Sequence, residues 1–128
     1  MKTNFIHNPE YESTAAKHVF LLRIYFSEEY TKIDFGFDHT KIQYIKNERV
    51  LINKELFIST KQNSYQLKVA QIYKKPYFNK DSDFRYFSLL FEPVDEDIDF
   101  FDIVDESEND FGKTGLYRFS FMGIKITE

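Results

Sequence analysis

The residues whose types and spacing are best suited to chemistry form one acidic run, between positions 92 and 110. This run holds ten of the 21 acidic residues and contains no Lys or Arg. The other 11 acidic residues stand against 17 Lys and Arg, which leaves the rest of the chain at +6 while the whole chain has a formal charge of -4. The sequence therefore describes a mildly basic body that bears an acidic segment.

Three interpretations of the acidic run are compatible with its residues. In the first, the carboxylates form a solvated sheet edge whose like charges prevent pairing with neighbouring molecules. In the second, the carboxylates bind a basic surface on another protein. The residues proposed for this contact are Glu92, Asp95, Glu96, Asp97, Asp99 and Asp102.

The third interpretation is a calcium site. Asp95, Asp97 and Asp99 have the spacing of the first three ligands of an EF-hand loop, and Glu106 stands at its twelfth position. The sixth position should be glycine and is Phe100, and an upstream proline leaves no entering helix. These four acids are kept as candidate calcium ligands, and no other cofactor is expected.

A second candidate contact is an aromatic loop over residues 73–86, represented by Tyr73 and Tyr77. Its rings bracket the sequence Lys74-Lys75-Pro76. Rings mixed with cations suit sugars or single-stranded nucleic acid, and tyrosine is also enriched at protein interfaces. Ten carboxylates elsewhere on so small a domain would repel a phosphate backbone, so a protein partner is favoured and nucleic acid is not expected.

Signatures of catalysis are scarce. His7, His18 and His39 lack the spacing of a transition-metal motif, and the chain has no cysteine. The sequence also lacks a Gly-x-Ser-x-Gly elbow, a phosphate-binding glycine loop and a dinucleotide fingerprint. We therefore expect that the protein is not an enzyme.

The elements that position these residues are predicted to be strands, because apolar residues recur with a period of two. The clearest case is Thr31–Asp38, and strict alternation over Val19–Phe26 puts Ile24 on one face and Arg23 on the other. Further strands are predicted at Ile42–Ile45, Val50–Ile58, Tyr65–Ile72, Phe84–Phe91 and Leu116–Ile126. The segment 94–106 is left open between strand and helix.

The last of these strands changes phase. Phe119 and Phe121 share one phase, whereas Ile124 and Ile126 share the other. A β-bulge at Met122-Gly123 would return all four side chains to one face, and glycine accepts the positive φ that one bulge type requires.

Seven or eight short strands with polar turns predict an all-β fold, namely an antiparallel β-sandwich, with a β-barrel as the alternative. The 128 residues fit a single domain over 1–128, with 1–16 as an irregular N-terminal arm. No run of about 18 apolar residues is present, so no membrane span is expected. As written the chain is expected to be cytoplasmic, or extracytoplasmic if Met1 replaces a removed signal peptide.

Three segments of the C-terminal third carry a resemblance to a known group of domains. They are Leu89-Leu90-Phe91-Glu92-Pro93-Val94, Phe101-Asp102-Ile103-Val104-Asp105-Glu106 and Phe119-Ser120-Phe121-Met122-Gly123-Ile124-Lys125-Ile126. Together they resemble a β-sandwich domain of uncharacterised bacterial envelope and secreted proteins, which has a Phe-x-Pro turn, a Phe-Asp-aliphatic acidic segment and an aromatic-x-aromatic-x-Gly-Ile final strand. The resemblance implies a non-catalytic accessory or interaction domain and no catalytic residues.

These observations predict a non-enzymatic module for protein–protein interaction or inhibition. It would use the acidic segment 92–110 or the aromatic loop 73–86, and its partner would have a basic surface. The alternative is a β-sandwich that binds a carbohydrate or a calcium-dependent ligand.

Overall fold

The computed structural model describes residues 5–16, 19–38, 45–46, 49–50, 55–72, 84–95, 97–105 and 119–126. These residues form strands and no helix, which confirms the all-β prediction. The strands are β1 (Phe5–His7), β2 (Ser13–Thr14), β3 (Val19–Phe26), β4 (Thr31–Asp38), β5 (Ile45–Lys46), β6 (Arg49–Val50), β7 (Phe57–Ser59), β8 (Ser64–Ile72), β9 (Phe84–Phe91), β10 (Phe100–Val104) and β11 (Phe121–Lys125).

Several predicted strands have the predicted bounds. β3, β4 and β9 agree residue for residue, and β8 begins one residue earlier than predicted. The prediction of a strand over Val50–Ile58 is wrong at positions 55 and 56, and that over Leu116–Ile126 is wrong at positions 119, 120 and 126. Positions 42–44, 51–54 and 116–118 of the predicted strands lie outside the described residues. The open segment 94–106 contains β10, so its strand interpretation is the correct one.

In the described part of the chain, nine strands form one antiparallel sheet in the order β1-β3-β4-β9-β8-β7-β10-β11-β2, and β5 pairs with β6 in a separate two-stranded sheet. The sheet is strongly curled. Phe35 in β4 lies 5.5 Å from Phe121 in β11, ring centre to ring centre, although these strands are five positions apart in the order. A flat sheet would separate them by about 24 Å, since neighbouring strands are about 4.8 Å apart. The architecture is a half-barrel, which supports the barrel alternative; a sandwich of two separate sheets is not shown.

The concave side of this sheet holds the core, in which phenylalanine and isoleucine are the commonest residues. The rings of Phe35, Phe87 and Phe119 meet at centre distances of 5.0 to 6.0 Å. Among the described residues, the fully buried phenylalanines are Phe35, Phe37, Phe87, Phe91, Phe101, Phe119 and Phe121. Each ring buries about 150–250 Å², so these side chains contribute a large part of the apolar area that stabilises the fold.

Residues 5–16, part of the segment interpreted as an irregular arm, contain two of the strands. β1 pairs with β3 at one edge of the sheet, and β2 pairs with β11 at the other. The backbone N–H of Lys125 donates to the carbonyl of Glu10 at 2.8 Å, which extends the second contact. One short segment therefore covers both edges of the sheet, where backbone groups would otherwise be open to pairing with other chains.

The bulge predicted in the last strand is confirmed. Gly123 has a φ of +65°, and the register between β10 and β11 shifts opposite this position. Phe121 and Ile124 are both fully buried as a result.

Candidate functional site

A second bulge, in β3, decides where Arg23 points. Leu21 pairs with Phe35 and Arg23 pairs with Asp34, so Leu22 is an extra residue without a partner in β4. Val19 and Leu21 are buried before the bulge and Ile24 after it. The prediction of strict alternation in this strand is therefore wrong, because the extra residue moves Arg23 from the phase of the core to the convex face of the sheet.

On the convex face Arg23 is held by a buried carboxylate. Its Nε donates to Oδ2 of Asp34 at 2.8 Å, while 40% of the arginine side chain stays exposed. The other carboxylate oxygen of Asp34 accepts a hydrogen bond of 2.5 Å from the hydroxyl of Ser88 in β9. Lys32 approaches the same oxygen, with its Nζ at 3.8 Å. Asp34 is thus fixed from the neighbouring strands on both sides, and it fixes the guanidinium in turn.

One aromatic ring lies against the guanidinium, and two further rings lie next to that ring. The central carbon of the Arg23 guanidinium lies 5.1 Å from the ring centre of Phe5, which is close enough for a cation–π interaction. The Phe5 ring also lies 4.6 Å from that of Tyr25 and 6.0 Å from that of His7. We call this surface the arginine face and define it by Phe5, His7, Arg23, Tyr25, Lys32 and Asp34.

An open groove of about 500 Å³ adjoins the arginine face, and its lining includes His7, Asn8, Arg23 and Tyr86. Asn8 has a φ of +49°, a conformation that asparagine accepts more readily than most residues. Its backbone N–H donates to the carbonyl of the bulge residue Leu22 at 2.8 Å. The turn after β1 and the bulge in β3 are therefore joined, and together they shape one wall of the groove.

The chemistry available on this face is recognition of a ligand by charge and rings. Ser88 is fully buried and its hydroxyl donates to a carboxylate, so this oxygen is not placed to attack a bound substrate. Arg23, in contrast, combines a fixed orientation with exposure, and a planar guanidinium recognises carboxylate and phosphate groups through paired hydrogen bonds.

The acidic residues predicted from the sequence lie elsewhere, and two of them hold the chain after β9. Glu92 accepts a hydrogen bond of 2.7 Å from the backbone N–H of Gln66. Asp95 accepts one of 2.7 Å from the Tyr65 hydroxyl and one of 3.2 Å from the Asn63 side chain. Burial of the Tyr65 side chain raises its pKa above the ordinary value of 10.0, and the hydrogen bond to Asp95 is the second largest cause of this rise.

Two further carboxylates of the acidic run accept hydrogen bonds from β11 and the residues before it. Asp102 accepts a bond of 2.7 Å from the backbone N–H of Gly123, and Asp105, which is 4% exposed, accepts one of 3.0 Å from that of Phe119. Asp97 and Asp99 are exposed. The described part of the run therefore divides into carboxylates that join neighbouring segments and two that face solvent.

Several predicted site residues lie outside the described residues, namely Tyr73, Tyr77, Glu96 and Glu106. Their roles in partner or calcium binding stay predictions. Within the described residues, no group of three or more acidic or histidine side chains is arranged to hold a metal ion. Of the three histidines, His7 lies on the arginine face, whereas His18 and His39 are not among the described residues.

Sequence reasoning missed the arginine face. A signal was present, because Arg23 follows the buried residues Val19 and Leu21 in the same period-two phase. A charged residue that interrupts an apolar phase is the same kind of irregularity that predicted the bulge at Gly123.

Comparison with known proteins finds no protein family, no curated protein and no solved structure that matches the chain. The described part of the chain contains no helix long and apolar enough to cross a lipid bilayer.

Proposed function

We propose that the protein is a non-enzymatic binding module that recognises another protein through the arginine face. The observation that carries this proposal is the position of the Arg23 side chain, held by Asp34 through Nε and against Phe5, with 40% of its surface exposed. Arginine and tyrosine are enriched among the residues that dominate protein–protein affinity. An arginine already fixed in one orientation loses little conformational entropy when a partner binds.

The acidic segment is less well suited to this role than its charge suggests. Glu92, Asp95 and Asp102 each accept at least one hydrogen bond from another segment of the chain. Their carboxylates hold the strands together, so their charge is already partly satisfied. Asp97 and Asp99 are the members of the proposed set that remain exposed, and a contact with a basic partner would depend on them.

A carbohydrate is the second candidate ligand, and one observation favours it. Phe5 and Tyr25 lie next to the Arg23–Asp34 pair, so rings and a charged pair share one sheet face. The resemblance of the C-terminal third to bacterial envelope β-sandwich domains agrees with either ligand, because it implies a non-catalytic interaction domain.

The test uses two exposed phenylalanines on different parts of the sheet. Phe5 is 40% exposed on the arginine face, and Phe100 in β10 is 54% exposed within the acidic segment. Immobilised wild type, Phe5→Ala and Phe100→Ala are used to capture proteins from a lysate of the source cells, and each captured protein is then purified and its binding measured directly. Urea unfolding of both variants shows that they are folded.

We expect one protein to bind the wild type and Phe100→Ala and to bind Phe5→Ala at least about tenfold more weakly, as for a central interface residue. If only Phe100→Ala loses binding of the captured protein, the binding surface is the acidic segment and not the arginine face. If no protein binds directly while a glycan array gives a ligand, the carbohydrate alternative replaces the proposal.

A further inference from the structure

We propose that Arg23 is a receptor for a carboxylate, and that the protein partner supplies it as a Glu or Asp side chain. This inference rests on the proposed function and names the chemistry of the partner. The acidic run predicted a partner with a basic surface, whereas a carboxylate bound to Arg23 requires a partner with an acidic surface.

The geometry of the guanidinium is the first argument. One edge of the arginine is occupied, because Nε donates to Asp34 at 2.8 Å. One face of the group is occupied as well, because the Phe5 ring centre lies 5.1 Å from its central carbon. The two terminal amino groups form the opposite fork, which matches the two oxygens of a carboxylate.

The charge around the site is the second argument. Arg23 and Lys32 both lie beside the carboxylate of Asp34. Asp34 is buried whereas 40% of the Arg23 side chain is exposed, so this pair presents positive charge to a partner, and a carboxylate of the partner would neutralise it.

The groove next to Arg23 supports the inference because it provides space for a ligand. It adjoins Arg23 and is bounded by His7, Asn8 and Tyr86. A volume of about 500 Å³ accommodates a few side chains of an extended segment. A short acidic peptide is therefore a suitable probe.

The experiment titrates two peptides into the protein and follows the backbone and Arg23 side-chain N–H signals by NMR. Both peptides are acetylated and amidated; one has the sequence Glu-Glu-Tyr-Glu-Glu and the other Gln-Gln-Tyr-Gln-Gln. The variants are Arg23→Lys, which keeps the charge but loses the fork, and Lys125→Gln, which removes an exposed cation from β11. An oligogalacturonate supplies the same carboxylate chemistry from a sugar.

We expect the acidic peptide to shift the Arg23 side-chain signal and to bind wild type and Lys125→Gln alike, with about tenfold weaker binding to Arg23→Lys. The inference is overturned if the glutamine peptide binds equally well, if Arg23→Lys binds as tightly as wild type, or if only the oligogalacturonate binds. If the acidic peptide does not bind while Phe5→Ala still loses partner binding, Arg23 is not a carboxylate receptor, but the proposed function is retained.

Discussion

Carboxylates have opposite roles in two regions of this molecule. In the acidic segment, Asp102 and Asp105 accept hydrogen bonds from backbone N–H groups of the final strand region, and this joins segments that are distant in sequence. On the arginine face, Asp34 is buried and orients the cation Arg23, which is 40% exposed. The carboxylates of the acidic segment hold the fold together, whereas the buried carboxylate of the arginine face orients a positive charge at the surface.

This difference shows that the density of charge in a sequence does not locate a binding surface. The acidic run contains ten carboxylates, yet most of those described are engaged inside the chain. The arginine face contains one carboxylate, and no sequence motif surrounds it. What distinguishes it is the combination of a fixed side chain and an open groove.

Removal of the carboxylate that organises the arginine face should have the largest effect on stability. Asp34→Ala removes the acceptor for Arg23 Nε and an acceptor for the buried Ser88 hydroxyl. We expect a loss of about 3 kcal/mol in the free energy of unfolding, at the lower end for a buried ion pair because Arg23 is partly exposed. The measurement is urea unfolding, with Ser88→Ala as a control that should lose about 1 kcal/mol. Equal stabilities of Asp34→Ala and wild type would show that this carboxylate does not organise the face.

The bulge that faces Asp102 should give the next largest effect. A side chain at Gly123 must adopt a φ of +65°, and its Cβ would lie 2.7 Å from Cγ of Glu12. The flexible Glu12 side chain can move, so backbone strain dominates, and we expect Gly123→Val to lose about 1–3 kcal/mol. Gly123→Asn should lose less because asparagine accepts this conformation, and Lys125→Thr should change stability by less than about 0.5 kcal/mol. Equal urea midpoints for the Val and Thr variants would contradict the bulge.

Alkaline pH should reveal the hydrogen bond between Tyr65 and Asp95. Burial and this bond raise the pKa of Tyr65 in the folded state above 10.0. Below a pH of about 10, Tyr65 keeps its hydroxyl proton in both the folded and the unfolded protein, and the stabilisation is fully present. Above this pH the unfolded protein loses the proton first, so the free energy of unfolding falls as the pH rises towards the pKa of the folded state.

Tyr65→Phe should be less stable than wild type by about 1 kcal/mol at neutral pH, and the difference should shrink above pH of about 10. The check is a series of urea unfolding curves on both proteins across this range. Parallel losses of stability in the two proteins would mean that Tyr65 does not titrate differently in the two states.

The smallest effect is expected at the exposed acids. Asp97→Asn and Asp99→Asn should each change the free energy of unfolding by less than about 0.5 kcal/mol, because both side chains face solvent. Thermal unfolding is a sufficient measurement. A loss above about 1 kcal/mol would show that Asp97 and Asp99 also stabilise the fold. The division of the acidic segment into structural and solvent-facing carboxylates would then be wrong.

The strands β3, β4 and β9 could be predicted residue for residue, because period-two alternation and flanking polar turns are local signals. The bulge at Gly123 was also predictable, since a phase change between Phe121 and Ile124 next to a glycine has one simple structural cause. These features depend on residues within a few positions of one another.

The curl of the sheet and the arginine face could not be predicted in the same way. Both depend on pairings between distant residues, such as Arg23 with Asp34 and Asp34 with Ser88. The two short strands in residues 5–16 pair at opposite edges of the sheet, and no alternation over two or three residues reveals this. Only the interrupted apolar phase at Arg23 was visible in the sequence, and it indicates a bulge without naming the partner of the arginine.

The most direct test of the account compares the affinity of Arg23→Lys with that of the double variant Asp97→Asn/Asp99→Asn for the same purified partner. Isothermal titration calorimetry at physiological ionic strength is suitable, with all proteins shown to be folded. We expect Arg23→Lys to weaken binding by about tenfold or more, while the double variant stays within about twofold of wild type. Normal binding by Arg23→Lys together with a large loss in the double variant would show that the binding surface is the acidic segment and not the arginine face.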